Sequence, residues 1–122
     1  MPDKLMIVMV NTNPRDPAAL SAPFSQATVA AAMEFEVEMI FSGGAGEILK
    51  PGLAERLRVS ENSDRTIQDL IREAHEAGVK FKVCTSVIER WGDGLIDQVD
   101  ETVGSAYLIS EAMDSETVVF TY

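Results

Sequence analysis

The stretch Leu5–Val10, LMIVMV, is apolar at every position and stops at the turn-prone NTNP of Asn11–Pro14. A strand with one wet face alternates apolar and polar residues. One covered on both faces is apolar throughout, so this run predicts a strand inside a parallel sheet, and we expect it at the centre. Beyond it, Asp16-Pro17 reads as a short turn, and Ser21 as the cap of a helix running to about Glu34 with Pro23 in its first turn, where a missing N–H does no harm. The small apolar centre of that helix, ATVAAAM, suits close approach to a sheet. Val37–Ser42 follows as a second strand, broken by the glycines of Ser42–Gly46, SGGAG. One or two short helical turns around Pro51-Gly52 lead to Leu57.

The clearest helix opens near Ser63 or Asp64. Ile67, Leu70, Ile71, Ala74 and Ala77 line one face of it, and Gly78 supplies the left-handed stop. VKFKVC, residues 79–84, is a third strand, and a helix from about Ser86 to Trp91 ends at Gly92. VDETV reads as a short strand, SAYLISEAM as a helix and TVVFTY as the closing strand. This alternation predicts an α/β fold: a mostly parallel sheet of about five strands with helices on both faces, joined by right-handed crossovers.

Composition narrows the function classes. The chain has 122 residues, 46% of them hydrophobic, which suits one domain over residues 1–122 with one contiguous core. A net charge of −10 and a sequence pI near 4.4 repel phosphate backbones and anionic lipid, so nucleic-acid and membrane-surface partners are not expected. The apolar run at the start is too short for a signal h-region or a membrane span, and a cytoplasmic protein is expected. One cysteine makes no intramolecular disulfide, which agrees with a reducing compartment. The acidic residues show no metal-ligand spacing and read as solvated faces.

Cys84, the only cysteine, closes the third strand. Ser86-x-x-Glu89 has the pattern of a capping box, which sets the thiol just ahead of a helix N-terminus. Free amides and the helix dipole there favour a thiolate, and the carboxyl edge of a parallel sheet is where open α/β folds place ligand sites. Strand alternation puts Lys80, Lys82 and Cys84 on one face, so Lys82 is a candidate to help hold an anion. Free cysteines are also common as small buried hydrophobes, and position alone leaves both readings open. Gly43 and Gly44, in SGGAG, could cradle an anion with backbone amides, but without G-x-G-x-x-G or P-loop spacing they read as a plain strand-to-helix turn. Trp91 reads as packing its helix onto the core, or as lining the cysteine pocket. His75, the only histidine, reads as a partly exposed surface residue and is assigned no role.

VCTSVIERWG, preceded by EAGVKFK, resembles the cysteine segment of the DsrE/DsrF-like sulfur-carrier family. KLMIVMVNTNP is similar to that family's first strand and loop, EVEMIFSGGAGEIL to its second strand with the glycine turn, and SAYLISEAMDSETVVFTY to its last helix and strand. The resemblance implies a three-layer α/β/α fold, assembly as a homotrimer or homohexamer, and a sulfurtransferase that carries sulfane sulfur as a persulfide on Cys84. It also implies TusA-like carrier proteins as partners, in sulfur oxidation or in sulfur delivery for tRNA modification. No cofactor or metal is needed, because a thiolate takes the terminal sulfur from a donor persulfide and yields it to an acceptor thiolate. Two other classes use the same residues differently: a peroxidase-like thiol redox enzyme cycling Cys84 through sulfenic acid, and a nonenzymatic assembly subunit in which the cysteine is incidental.

Overall fold

A computed structural model describes residues 3–122, so the first two residues of the expected 1–122 domain lie outside it. Five strands, β1 (Lys4–Met9), β2 (Glu36–Phe41), β3 (Lys80–Cys84), β4 (Val99–Val103) and β5 (Thr117–Thr121), form one sheet in the order β4-β3-β2-β1-β5. Every neighbouring pair is parallel. The apolar run of β1 is interior, as its composition requires, but the central place belongs to β2, because β5 returns to the far side of β1.

Helix α1 spans Pro17–Ala32, four residues earlier than the Ser21 cap expected from sequence. Asp16 is the true cap, its Oδ1 accepting from the amides of Ala18 and Ala19, and Pro17 takes the first helical position, which tolerates a missing N–H better than any other. Ser21 instead donates its hydroxyl to the Pro17 carbonyl, and Pro23 lies in the helix interior. A 3₁₀ segment, Gly43–Leu49, and the short helix α2, Leu53–Arg56, follow β2. Helix α3 is Ile67–Ala77, opened not by Ser63 or Asp64 but by a capping box in which Thr66 Oγ1 accepts from the Asp69 amide and Asp69 accepts from the Thr66 amide. Ser63 is spent on a local turn, accepting from the Arg65 amide. Ala77 is exposed rather than part of the buried stripe, while Gly78 closes the helix at φ 108° as expected. Helices α4, Thr85–Trp91, and α5, Ser105–Ala112, complete the chain.

Handedness explains how the helices are distributed. From β1 to β4 the chain steps across the sheet in one direction, so right-handed crossovers place α1, α2, α3 and α4 on one face. The return from β4 to β5 passes back over β3, β2 and β1, and the same handedness puts α5 on the other. Side chains follow: Ile7, Met9, Met39, Phe41, Phe81 and Val83 join the main core with α1 and α3, whereas Met6, Val8, Ile40 and Cys84 form a smaller cluster under α5. Phe24, Phe41 and Phe81 anchor the main core, with ring centroids 6.1–6.3 Å apart, in the range where aromatic pairs attract. The three-layer architecture is present but lopsided, since among the described residues α5 alone makes the third layer, and it has no fully buried residue.

Candidate functional site

Cys84 is both the last residue of β3 and the N-cap of α4. Helix α4 starts one residue earlier than expected, and the Ser86/Glu89 capping box does not form: no side chain caps this helix. Ser86 Oγ instead accepts from the Gly43 amide at 3.4 Å, which ties the glycine turn after β2 to the first turn of α4. Cys84 pairs in register with Val103, the last residue of β4. After β3 the chain leaves for the main-core face and after β4 for the α5 face, so the carboxyl ends of these two strands form the crevice at which open α/β sheets bind their ligands. The first turns of the 3₁₀ segment, α4 and α5 open at this edge, and none has a side-chain cap.

The glycine turn sits close for a packing reason. A Cβ on Gly46 would lie 2.4 Å from Val87 Cγ2 and 2.7 Å from Cγ1, so only glycine lets the 3₁₀ segment meet α4. Gly43 takes φ 56°, and a Cβ on it or on Gly44 would meet open space. Trp91 packs against the main core, with the Arg90 guanidinium 5.0 Å from its ring centroid, which supports the packing reading. His75 is half-exposed, its Nε2 3.4 Å from Asp100 Oδ1.

The thiol is not free on the surface. Cys84 is 7% exposed, clustered with Met6, Val8, Ile40 and Val103, and Tyr107, Leu108 and Ala112 of α5 pack on that cluster.

Beside it on the same face lies a buried charge network that sequence reasoning missed. Glu38 is 3% exposed, against the expectation that the carboxylates form solvated faces. Its Oε2 lies 2.7 Å from Lys4 Nζ and 3.1 Å from Lys82 Nζ. The Tyr107 hydroxyl reaches both its oxygens, at 2.7 and 2.8 Å. Lys82 Nζ also meets Tyr107 Oη and Glu101 Oε1, each at 2.7 Å, and Lys4 Nζ meets Glu111 Oε1 at 2.8 Å. Lys82 is thus occupied by carboxylates and a phenol, which corrects its expected part in holding an anion beside Cys84. Burial by itself pushes the Glu38 carboxyl upward, but hydrogen bonds from Lys4, Tyr107 and Lys82 outweigh it and hold the group below the usual glutamate range. For both lysines burial pulls downward and is outweighed by hydrogen bonds to Glu111 and Glu38 at Lys4 and to Glu101, Tyr107 and Glu38 at Lys82, so both sit above the ordinary lysine value. Burial, against a lowering contact with Lys82 and a raising one with Glu38, keeps Tyr107 neutral further into alkali than usual. The available signal was a second charge inside each of two strands that are otherwise apolar beyond a charged first residue: Glu38 in EVEMIF and Lys82 in KFKVC, with opposite signs.

Among the described residues no group of three or more His, Cys, Asp or Glu side chains is placed to hold a metal ion, and no helix is long and apolar enough to cross a membrane.

Fold and site together define a parallel α/β protein with a solitary cysteine at the carboxyl edge, in the crevice between two diverging crossovers. The sequence model of the DsrE/DsrF-like family matches residues 4–120. The chain belongs to that family, which associates it with sulfur relay. No curated protein matches the sequence. Among solved structures, the ychN protein from E. coli is 19% identical over 100% of both chains, with a TM-score of 0.75. A conserved protein of unknown function, BT1422 from Bacteroides thetaiotaomicron, is 12% identical over 98% of this chain and 95% of its own, with a TM-score of 0.67. At such identities the likeness establishes the shared fold.

Proposed function

We propose that this protein is a cytoplasmic sulfurtransferase that carries sulfane sulfur as a persulfide on Cys84 and relays it between carrier proteins. The observation that carries this reading is the place of the one cysteine, at the β3/β4 crevice where three uncapped first turns open, in a chain of the DsrE/DsrF-like family. The Cys84 thiolate attacks the terminal sulfur of a donor persulfide, the donor S–S bond breaks, and the donor leaves as a thiolate. An acceptor thiolate then attacks the same sulfur and releases the Cys84 thiolate, with no net oxidation in either step. A solitary cysteine suits relay, since no neighbouring thiol discharges the persulfide as an internal disulfide. TusA-like proteins are the donor or acceptor, and sulfur oxidation is the favoured setting.

Assembly as a homotrimer or homohexamer belongs to the same proposal, and the surface supports it. Helix α1 and strand β5 hold no charged residue, although a quarter of the chain is charged. Between them runs an apolar groove of about 520 Å³ lined by Leu5, Val29, Met33, Phe35, Val118 and Phe120. An edge strand without charge is the kind that pairs with another chain. A second copy carrying the same −10 charge is repelled least where the acidic residues are missing.

The test is to incubate the protein with a persulfide donor and weigh it intact. One or more extra sulfur atoms on Cys84, removed by reductant and passed to a TusA-like acceptor, is the expected result, with a Cys84→Ser variant folded and unloaded. Sulfur transfer retained by that variant, or a wild type that never loads, overturns the assignment and returns Cys84 to the role of a small core side chain.

A further inference from the structure

A thiol that meets a partner protein must be reached, and Cys84 is buried. The cover on its face of the sheet is α5, the only helix there among the described residues, and it is an unusual cover. None of its eight residues is fully buried. Its outward side leaves Ile109 61% exposed. Tyr107, Leu108 and Ala112 rest on the small apolar cluster, and a set of polar contacts ties the helix to the strands beneath. The Tyr107 hydroxyl donates to Glu38 at 2.7 Å and accepts from Lys82 Nζ at 2.7 Å. Glu111 holds Lys4 Nζ at 2.8 Å, and Lys82 Nζ stands 4.6 Å from the centroid of the Tyr107 ring. The partners of these contacts are rooted in β1, β2 and β3 and stay in place if α5 lifts.

We infer that α5 is a latched cover over Cys84, and that Tyr107, through Glu38 and Lys82, is the positioning residue that sets how often the thiol is open to a partner. The inference deepens the relay reading by adding control of access, but the latch itself does not depend on what Cys84 carries. Lifting α5 leaves the parallel ladder intact and uncovers only the small cluster of Met6, Val8, Ile40, Cys84 and Val103, so opening is a local event that exposes far less surface than global unfolding. Tyr107 makes no claim on the sulfur chemistry; it acts on Cys84 only through the helix.

Alkylation of native protein by iodoacetamide, with hydrogen exchange followed across α5, tests this without any sulfur donor. In the wild type, the Cys84 rate should lie well below that of the unfolded chain and stay nearly flat at low urea, because a local opening exposes far less surface than global unfolding. Tyr107→Phe keeps the ring and deletes the hydroxyl; the rate should rise roughly ten- to a hundredfold, the factor corresponding to loss of hydrogen bonds to charged groups. Amides of Ser105–Ala112 should lose protection ahead of those of β1 and β2. Glu111→Gln, which loosens the far end of the helix at a half-exposed site, should raise the rate in the same direction by less. A wild-type rate that climbs with urea in step with global unfolding overturns the latch, as does a Tyr107→Phe rate equal to wild type. A protein that alkylates as described yet never accepts sulfur leaves the latch standing and removes the carrier assignment.

Discussion

Gly46→Ala should destabilise the protein even though alanine ordinarily improves on glycine in a helical segment. With no obstacle, the substitution gains about 0.4–1 kcal/mol by restricting the unfolded chain. Here the new methyl would lie 2.4 Å from Val87 Cγ2, more than 1 Å inside the roughly 3.5–4.0 Å at which carbon atoms rest. Val87 is 0% exposed, so it has no solvent to retreat into, and the 3₁₀ segment or α4 must shift at a cost of about 1–3 kcal/mol. For a chain of this length that is a fall in Tm of roughly 3–6 °C per kcal/mol. Val87→Ala alone removes two core methyls and costs about 1–2 kcal/mol. The double variant relieves the clash and should be little worse than Val87→Ala, a coupling of roughly 1–3 kcal/mol in a double-mutant cycle read by urea denaturation. Since α4 begins directly after Cys84, the single Gly46→Ala variant should also change the alkylation rate of the thiol, and the double variant should restore it. Additive destabilisation, or a stable Gly46→Ala protein, would refute the close-approach argument.

Three further outcomes are expected. Glu34 sits at φ 72° just after α1, a left-handed conformation that costs a side-chain-bearing residue about 1–2 kcal/mol, so Glu34→Gly should stabilise by about 0.5–1 kcal/mol after its own entropy loss; a lower urea midpoint would contradict this. Glu38→Gln leaves two buried ammonium groups without their shared carboxylate and should cost about 3 kcal/mol at neutral pH. Because the folded carboxyl lies below its unfolded value, its stabilisation is present above the usual glutamate range and disappears as pH falls through the folded pKa, so wild-type stability should decline in acid more steeply than that of the variant; parallel pH profiles would exclude this role for Glu38. Val29→Glu and Phe120→Glu place charge in the groove between α1 and β5 and should lower the mass found by light scattering while leaving the circular dichroism spectrum unchanged; an unaltered mass would move the assembly contact elsewhere.

Much of the architecture was legible because it follows from local pattern. The apolar run of β1, the alternation in VKFKVC and the Gly78 stop each specify an element without distant partners. Where two local signals competed, the reading went astray: Ser21 with Pro23 and Asp16 with Pro17 are both plausible helix starts, and the second prevails because its proline occupies the first helical position. Ser63, Asp64 and Thr66 competed in the same way, decided by the reciprocal bond available only to Thr66 and Asp69. Ser86 was misread as a cap because its real partner, Gly43, is 43 residues away. The charge network was hidden for the same reason: Glu38 and Tyr107 are separated by 69 residues, and the local hint, a charge at an inner strand position, does not name the distant partners it will meet.

That network also accounts for how a short helix can cover a thiol without sealing it. Had α5 been fixed by apolar packing alone, rather than by the packing of Tyr107, Leu108 and Ala112 together with polar contacts, each square ångström exposed on lifting would cost about 25 cal/mol with nothing returned. Ion pairs behave differently. Removing Glu38, Lys4 and Lys82 from water imposes a desolvation penalty that their hydrogen bonds and mutual attraction must offset, and lifting the helix returns water to these groups as the contacts of Tyr107 and Glu111 are lost. The strands beneath are held by their own parallel ladder and by the main core on the opposite face, where Ile7, Met39, Phe41 and Phe81 are wholly buried. The larger core therefore lies on one face of the sheet, and the smaller cluster that holds Cys84 on the other. The topology enforces this division, because a chain that steps from β1 to β4 in one direction has only its last crossover left to cover the second face.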